Sequence, residues 1–173
     1  PILKPLAVDL GLTFSQIGVY ITILGAVAAL VGAAIAGVLL KYLSKAYALI
    51  IFSMLKILSL FFYVYLGYVF EHHKKIDSSI IYVINAFEDA CSAMLLVVML
   101  SLIMSYSRKH FAGTDFTLQV SIMATVSGLL YLLSGLLGDL LGYYYYLSVI
   151  FLISFICLLP IFNWKKYVNI NQG

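Results

Sequence analysis

Two adjacent carboxylates, Glu88 and Asp89, stand near the middle of the stretch Ser79 to Tyr106, which is otherwise apolar enough and long enough to cross a bilayer. At about 1.5 Å of rise per residue, Glu88 lies roughly 13 Å from the start of that stretch. That depth is near the midplane of a ~30 Å hydrocarbon core. A carboxylate there is costly, faces a bundle interior or a wet cavity, and points to a functional site. Successive helical residues are turned by about 100°, so Asn85, Glu88, Asp89 and Ser92 share an arc roughly 100° wide. In the preceding apolar stretch, Ala46 to Phe70, Lys56 lies about 15 Å from the start, again near mid-depth. Ser53, Ser59 and Tyr63 share its face. Helices joined by a hairpin run antiparallel, which lets the ammonium meet the carboxylates. A carboxyl held between desolvation and an ammonium can titrate as its surroundings open, which is proton-coupling chemistry. The plainer alternative is a structural ion pair or hydrogen-bonded knot between two helices. Lys56 likewise either binds an anionic substrate group or only neutralises a carboxylate.

The elements that must hold these residues are apolar helices. Hydrophobic residues make up 64% of the chain and charged ones 10%, against about a half and a quarter in globular domains. A soluble domain of this length cannot hide so much apolar surface, so the expected class is an all-α, polytopic membrane protein embedded in the lipid bilayer. Five spans are expected, at 18–40, 46–70, 79–106, 118–141 and 143–162. Thr13 and Gln16 have capping-box spacing before the first. Gly25, Ala29, Gly32 and Ala36 form a small-residue face within it, of the kind that lets membrane helices approach closely. Ser121, Thr125, Gly128, Gly135 and Gly142 form a similar seam along the fourth. Tyr143 to Tyr146 read as an interfacial aromatic belt.

Alternate loops fall on opposite sides. Lys4, Lys74 and Lys75 share one side; Lys41, Lys45, Arg108, Lys109, Lys165 and Lys166 share the other. The excess of positive charge places the second side, with the C-terminus, in the cytoplasm. Thr114 and Asp115 precede the fourth span and read as N-cap residues. A sharper reading makes Asp115 the partner of Arg108 or Lys109 in a cytoplasmic gate with Lys41 and Lys45. His72 and His73 read as a solvated loop, Asp139 as a helix-end charge, and Cys91 and Cys157 as packing residues. The net charge of +3 comes from loop lysines, which argues against nucleic acid as a partner. No nucleophile–base constellation, phosphate loop or metal cluster stands out, so neither enzymatic activity nor a cofactor or metal is expected. The chain opens at Pro1 without an initiator Met, and an odd number of spans beginning outside leads to the expectation of a further helix upstream.

Several stretches bear a family likeness: LGLTFSQIG before the first span, GAAIAGVLLKYLSKAYALIIF across the first turn, AFEDACSAM in the third span, FAGTDFTL before the fourth, and Gly135 and Gly142. Taken in order over nearly the whole chain, they resemble the C-terminal half of a major facilitator superfamily transporter, specifically the AmpG-like permeases that import peptidoglycan fragments. The resemblance implies five helices of a six-helix half, helices eight to twelve of twelve, in an inner membrane with a cytoplasmic C-terminus. It implies a proton symporter of anhydro-muropeptide whose partners are the solute, protons and an N-terminal half. The two halves of such transporters rock about a central site. Glu88 falls at the family's intramembrane glutamate, and Asp89 where asparagine is common; Lys56, Asn85, Ser92 and Tyr63 would line the same pathway. Lys41 occupies the aspartate position of the superfamily's turn motif, and Ser127 a position where muropeptide permeases carry arginine. The GTDFT stretch at 113–117 is also similar to siderophore importers, which keeps a second substrate class open beside a truncated, non-transporting remnant.

Overall fold

The computed structural model describes residues 8, 9, 11–72 and 77–170, apart from the side chains of 139 and 164–170. Lys4, His73, Lys74 and Lys75 therefore lie outside the described residues, as do the side chains of Asp139, Trp164, Lys165 and Lys166. Five helices are each long and apolar enough to cross a membrane. They are α1 (Phe14–Leu39), α2 (Lys45–Glu71), α3 (Ser78–Tyr106), α4 (Ala112–Leu141) and α5 (Tyr143–Ile170). No strand occurs among the described residues.

Local chemistry sets the helix starts. The Thr13 N–H donates to Gln16 Oε1 at 2.9 Å and the Gln16 N–H to Thr13 Oγ1 at 3.3 Å, closing the reciprocal cap of α1. Ser44 and Asp77 cap α2 and α3 by accepting from the Tyr47 and Ser79 amides. α1 is not uniform: Ile17–Ile23 form a π-helical segment before regular α-helix resumes at Leu24. Such widened turns often mark functional places in helices.

Two expected boundaries move. α4 begins at Ala112, not Leu118, because a short 3₁₀ turn at Lys109–Phe111 leads straight into it. Thr114 and Asp115 are consequently inside the first turn and do not cap it. α5 continues to Ile170, past the expected end at Phe162. Only Gly142 separates α4 from α5, at φ +80°, a conformation that is cheap for glycine alone.

The packing is uneven. α1 packs most extensively on α3, while α2 lies against both α3 and α5. α4 makes only light contact with α3 and α5. The small face of α1 explains its closeness: Gly25, Gly32 and Ala36 are buried, and a Cβ added at Gly32 would sit 2.5 Å from the Ala90 carbonyl oxygen and 2.9 Å from its Cα. The similar seam on α4 has no such role, since Gly128 and Gly135 have nothing within 4 Å of an added Cβ. Tyr143, Tyr144 and Tyr146, expected in an interfacial belt, pack within the bundle. Tyr146 is buried, Tyr144 packs edge-on against Tyr68, and the Tyr143 hydroxyl donates to Asp9 Oδ2 at 2.6 Å.

Two apolar clusters form the core. One gathers Leu12, Ile17, Ile21, Tyr63, Leu66, Ile81, Ile84, Tyr146 and Leu147. The other gathers Ala36, Ala48, Leu49, Phe52 and Val98 at the opposite end. Lys56 lies between Phe52 and Tyr63 on α2, and Asn85 to Ser92 between Ile84 and Val98 on α3, so the charged residues form a layer between the two.

The contrast between the two small-residue faces is measurable. Gly32→Ala is expected to lower stability by about 1–3 kcal/mol through overpacking, because the atoms it meets are backbone. Gly128→Ala is expected to stay within about 0.5 kcal/mol, as at an open site. Thermal unfolding in detergent compares the two, and equal effects would show that α1 and α3 are not in the close contact described.

Candidate polar site between the apolar cores

Three cross-links between α2 and α3 set the register. Lys45 Nζ donates to the Ser101 carbonyl at 3.4 Å, Lys56 meets Glu88, and the Tyr63 hydroxyl donates to Asn85 Oδ1 at 3.2 Å. As the number rises on α2 it falls on α3, so the helices are antiparallel and residues at matching depth face each other. The face that carries Lys56 also carries Ser53 and Ser59, both buried, and Ser59 Oγ donates to the Lys56 carbonyl at 2.7 Å.

Lys56 and Glu88 form an ion pair, with side chains 24% and 13% exposed. Ser92 completes it: Lys56 Nζ donates to Ser92 Oγ at 2.5 Å, and Ser92 Oγ donates to Glu88 Oε1 at 2.9 Å. Ser92 lies one helical turn beyond Glu88, so i,i+4 spacing puts hydroxyl and carboxylate on one patch. Charge-assisted contacts of this kind are the strong ones, and here they close a three-membered ring.

Asp89 bonds on the side that faces α1. Its Oδ2 accepts from Asn85 Nδ2 at 2.8 Å, and Asn85 also donates to the Ile21 carbonyl at 3.2 Å. The single polar arc of α3 is thereby divided. Glu88 and Ser92 turn towards α2, while Asn85 and Asp89 turn towards α1. The Ile21 carbonyl belongs to the π-helical segment. Gly25 makes room for the acid, since a Cβ there would run into Asp89 Oδ2 and lie 3.0 Å from Asn85 Nδ2. Asn85, buried itself, thus joins α1, α2 and α3 through one carboxamide.

On its other side, Lys56 helps to line a cavity of about 250 Å³ between α2, α3 and α5. Its walls are mostly apolar, with Ser53, Ser154 and Cys157 among them. Lys56 therefore borders both its carboxylate partner and this cavity. Neither Gly25 nor Ile21 is visible as a site residue from sequence. The glycine belongs to a packing face, and a backbone carbonyl has no residue type to announce it.

The residues expected at a cytoplasmic gate are brought together in part. Arg108 holds Asp115 with both arms, Nε to Oδ2 at 2.9 Å and Nη2 to Oδ1 at 2.8 Å, and its own N–H donates to Oδ2 at 3.0 Å. These hydrogen bonds hold the Arg108 guanidinium above its usual pKa. Arg108 also lies 5.2 Å from the Phe111 ring centre. Asp115 thus fastens the turn before α4 to the helix's first turn, where the helix dipole favours an anion. Lys41 and Lys109 stand exposed at the same end, and Lys45 rests on α3. His72 bonds its own helix through the Tyr68 carbonyl at 3.0 Å. Among the described residues no group of three His, Cys, Asp or Glu side chains could hold a metal ion.

The ring between α2 and α3 predicts coupling. Lys56→Met leaves a carboxylate without its counter-charge, whereas the double variant Lys56→Met with Glu88→Gln removes both. The double-mutant cycle, read by unfolding in detergent, is expected to show about 1–3 kcal/mol of interaction. Additive losses would mean that the two side chains do not act as a pair. Compared with known proteins, the sequence matches no family model, and no solved structure matches it.

Proposed function

We propose that the chain is a polytopic membrane protein and the C-terminal part of a proton-coupled solute importer of the major facilitator type. The observation that carries this reading is the polar layer itself: an ion pair, a second carboxylate, a carboxamide and two hydroxyls held at mid-depth between apolar cores. A layer so costly to place in lipid is retained where ions or solutes pass. The resemblance of AFEDACSAM and its companion stretches to AmpG-like permeases supplies the substrate class, anhydro-muropeptide, with a siderophore as the competing solute.

In this reading Glu88 takes up and releases the proton. With Glu88 ionised, its charge holds Lys56 in the ring with Ser92. When Glu88 is protonated the ion pair is lost and the ammonium is released towards the cavity it lines. There it can meet an anionic group of the solute. Asn85, Asp89 and Tyr63 form the α1-facing side of the pathway, and Asn85 grips the π-helical segment of α1 through the Ile21 carbonyl. The Arg108–Asp115 clamp, with Lys41, Lys45 and Lys109, belongs to the cytoplasmic end. The excess of lysine and arginine at that end supports the orientation.

One observation favours a second reading, in which the layer only assembles the helices. Lys56, Glu88 and Ser92 satisfy one another, and a closed ring is what a structural knot requires. Uptake by the full-length protein in vesicles separates the two. With an inward proton gradient, labelled anhydro-muropeptide is expected to accumulate, and Glu88→Gln is expected to abolish that accumulation while solute exchange at equal pH persists. Unchanged proton-driven uptake by Glu88→Gln would remove Glu88 from coupling, and uptake of a ferric siderophore in place of the muropeptide would move the substrate class.

A further inference from the structure

Away from the polar layer, the start of α2 meets the end of α3. A groove of about 510 Å³ opens there, lined by Lys45, Val97, Leu100, Ser101, Met104 and Ser105. The five α3 residues follow helical spacing, so they form one wall running about 12 Å along the helix. That wall is chiefly apolar, and Met104 is 67% exposed. Lys45, the first residue of α2, reaches the wall partway along it, at the Ser101 carbonyl. An ammonium set against an apolar wall matches the build of a phospholipid: acyl chain along the wall, headgroup phosphate at the charge.

Charge points to the kind of lipid. Lys45 donates to the Ser101 carbonyl at 3.4 Å, longer than the usual ~2.9 Å, and an ammonium has further N–H groups to give. The ion pairs among the described residues are Lys56–Glu88 and Arg108–Asp115, so Lys45 has no carboxylate there. Of the seven acidic residues in the chain, Asp115 alone belongs to this end, and it is held by Arg108. The same end carries Lys41, Lys45, Arg108 and Lys109. A net anion complements it.

We propose that the groove between the start of α2 and the end of α3 binds an anionic phospholipid, its phosphate on Lys45 and one acyl chain along Val97, Leu100 and Met104. The proposal rests on the membrane reading above and needs neither transport nor a particular solute. The lysine acts as a long side chain does at a membrane surface, its stem over apolar atoms and its charge at headgroup level.

The test places a single fluorescent reporter in the groove. In the full-length protein, Trp164→Phe removes the native tryptophan of this chain, any other is replaced likewise, and Met104→Trp puts one at the wall. The protein is reconstituted in phosphatidylcholine vesicles containing an equal minor fraction of either brominated phosphatidylglycerol or brominated phosphatidylcholine. Brominated phosphatidylglycerol is expected to quench as though about five-fold enriched at the reporter, the effect of one lysine on an anionic lipid. Lys45→Gln is expected to bring the two lipids to equality and Lys45→Arg to keep the preference. Equal quenching in the parent, or a preference that survives Lys45→Gln, overturns the lipid site. Relief of phosphatidylglycerol quenching by inorganic phosphate also overturns it, because the groove would then bind free anions and not the lipid. No quenching by either lipid removes the membrane reading as well, which separates that failure from failure of the site alone.

Discussion

The ion pair between Lys56 and Glu88 is the constraint around which the other helices are arranged. Removing two charges from water is expensive, and the return comes only when geometry is good and remaining hydrogen-bonding capacity is used. Ser92 helps to meet that condition by giving to Glu88 and accepting from Lys56. The apolar clusters above and below then fix the depth of the layer, because sliding α2 by a turn against α3 would part Lys56 from Glu88 and break up both clusters. Register, depth and partner choice are thus one condition.

The second half of the layer obeys a different logic. Asn85 can satisfy three neighbours at once because α1 approaches closely at Gly25 and because the Ile17–Ile23 segment is wound as a π-helix. Within that segment the Ile21 oxygen accepts both from the Leu24 N–H of its own helix and from Asn85 Nδ2. The closeness comes from glycine, the acceptor from the backbone, and the donor from α3. None of the three suffices without the other two. Asp89, next in sequence to Glu88, consequently has a different environment, which is how adjacent carboxylates can be given separate duties.

Much of this is legible in the sequence alone. The five apolar helices, the Thr13–Gln16 cap, the small face of α1 and the pairing of Lys56 with a carboxylate on the next helix follow from residue type and helical period. The choice of Glu88 over Asp89 did not, because residues one apart differ by about 100° in direction, and both directions lay within the arc. The start of α4 was hidden by Gly113 and Asp115, which favour turns in isolation but here are drawn into the helix by the Arg108 clamp. The role of Gly25 was masked by its being a packing residue as well. The π-helical segment has no residue pattern that separates it from ordinary helix; its mark is the Thr22 hydroxyl reaching back to the Ile17 carbonyl at 3.2 Å, a contact that exists only in the fold.

α4 makes few contacts along its length, yet its two ends are fixed. The single residue Gly142 ties one end to α5, which is itself packed on α2, and the doubly bonded arginine ties the other to the turn leaving α3. A rod pinned at both tips keeps its station while its flanks stay open. Its long sides can trade one neighbour for another without the chain being re-threaded, so this is the part of the bundle where surroundings can change at least cost to everything behind it.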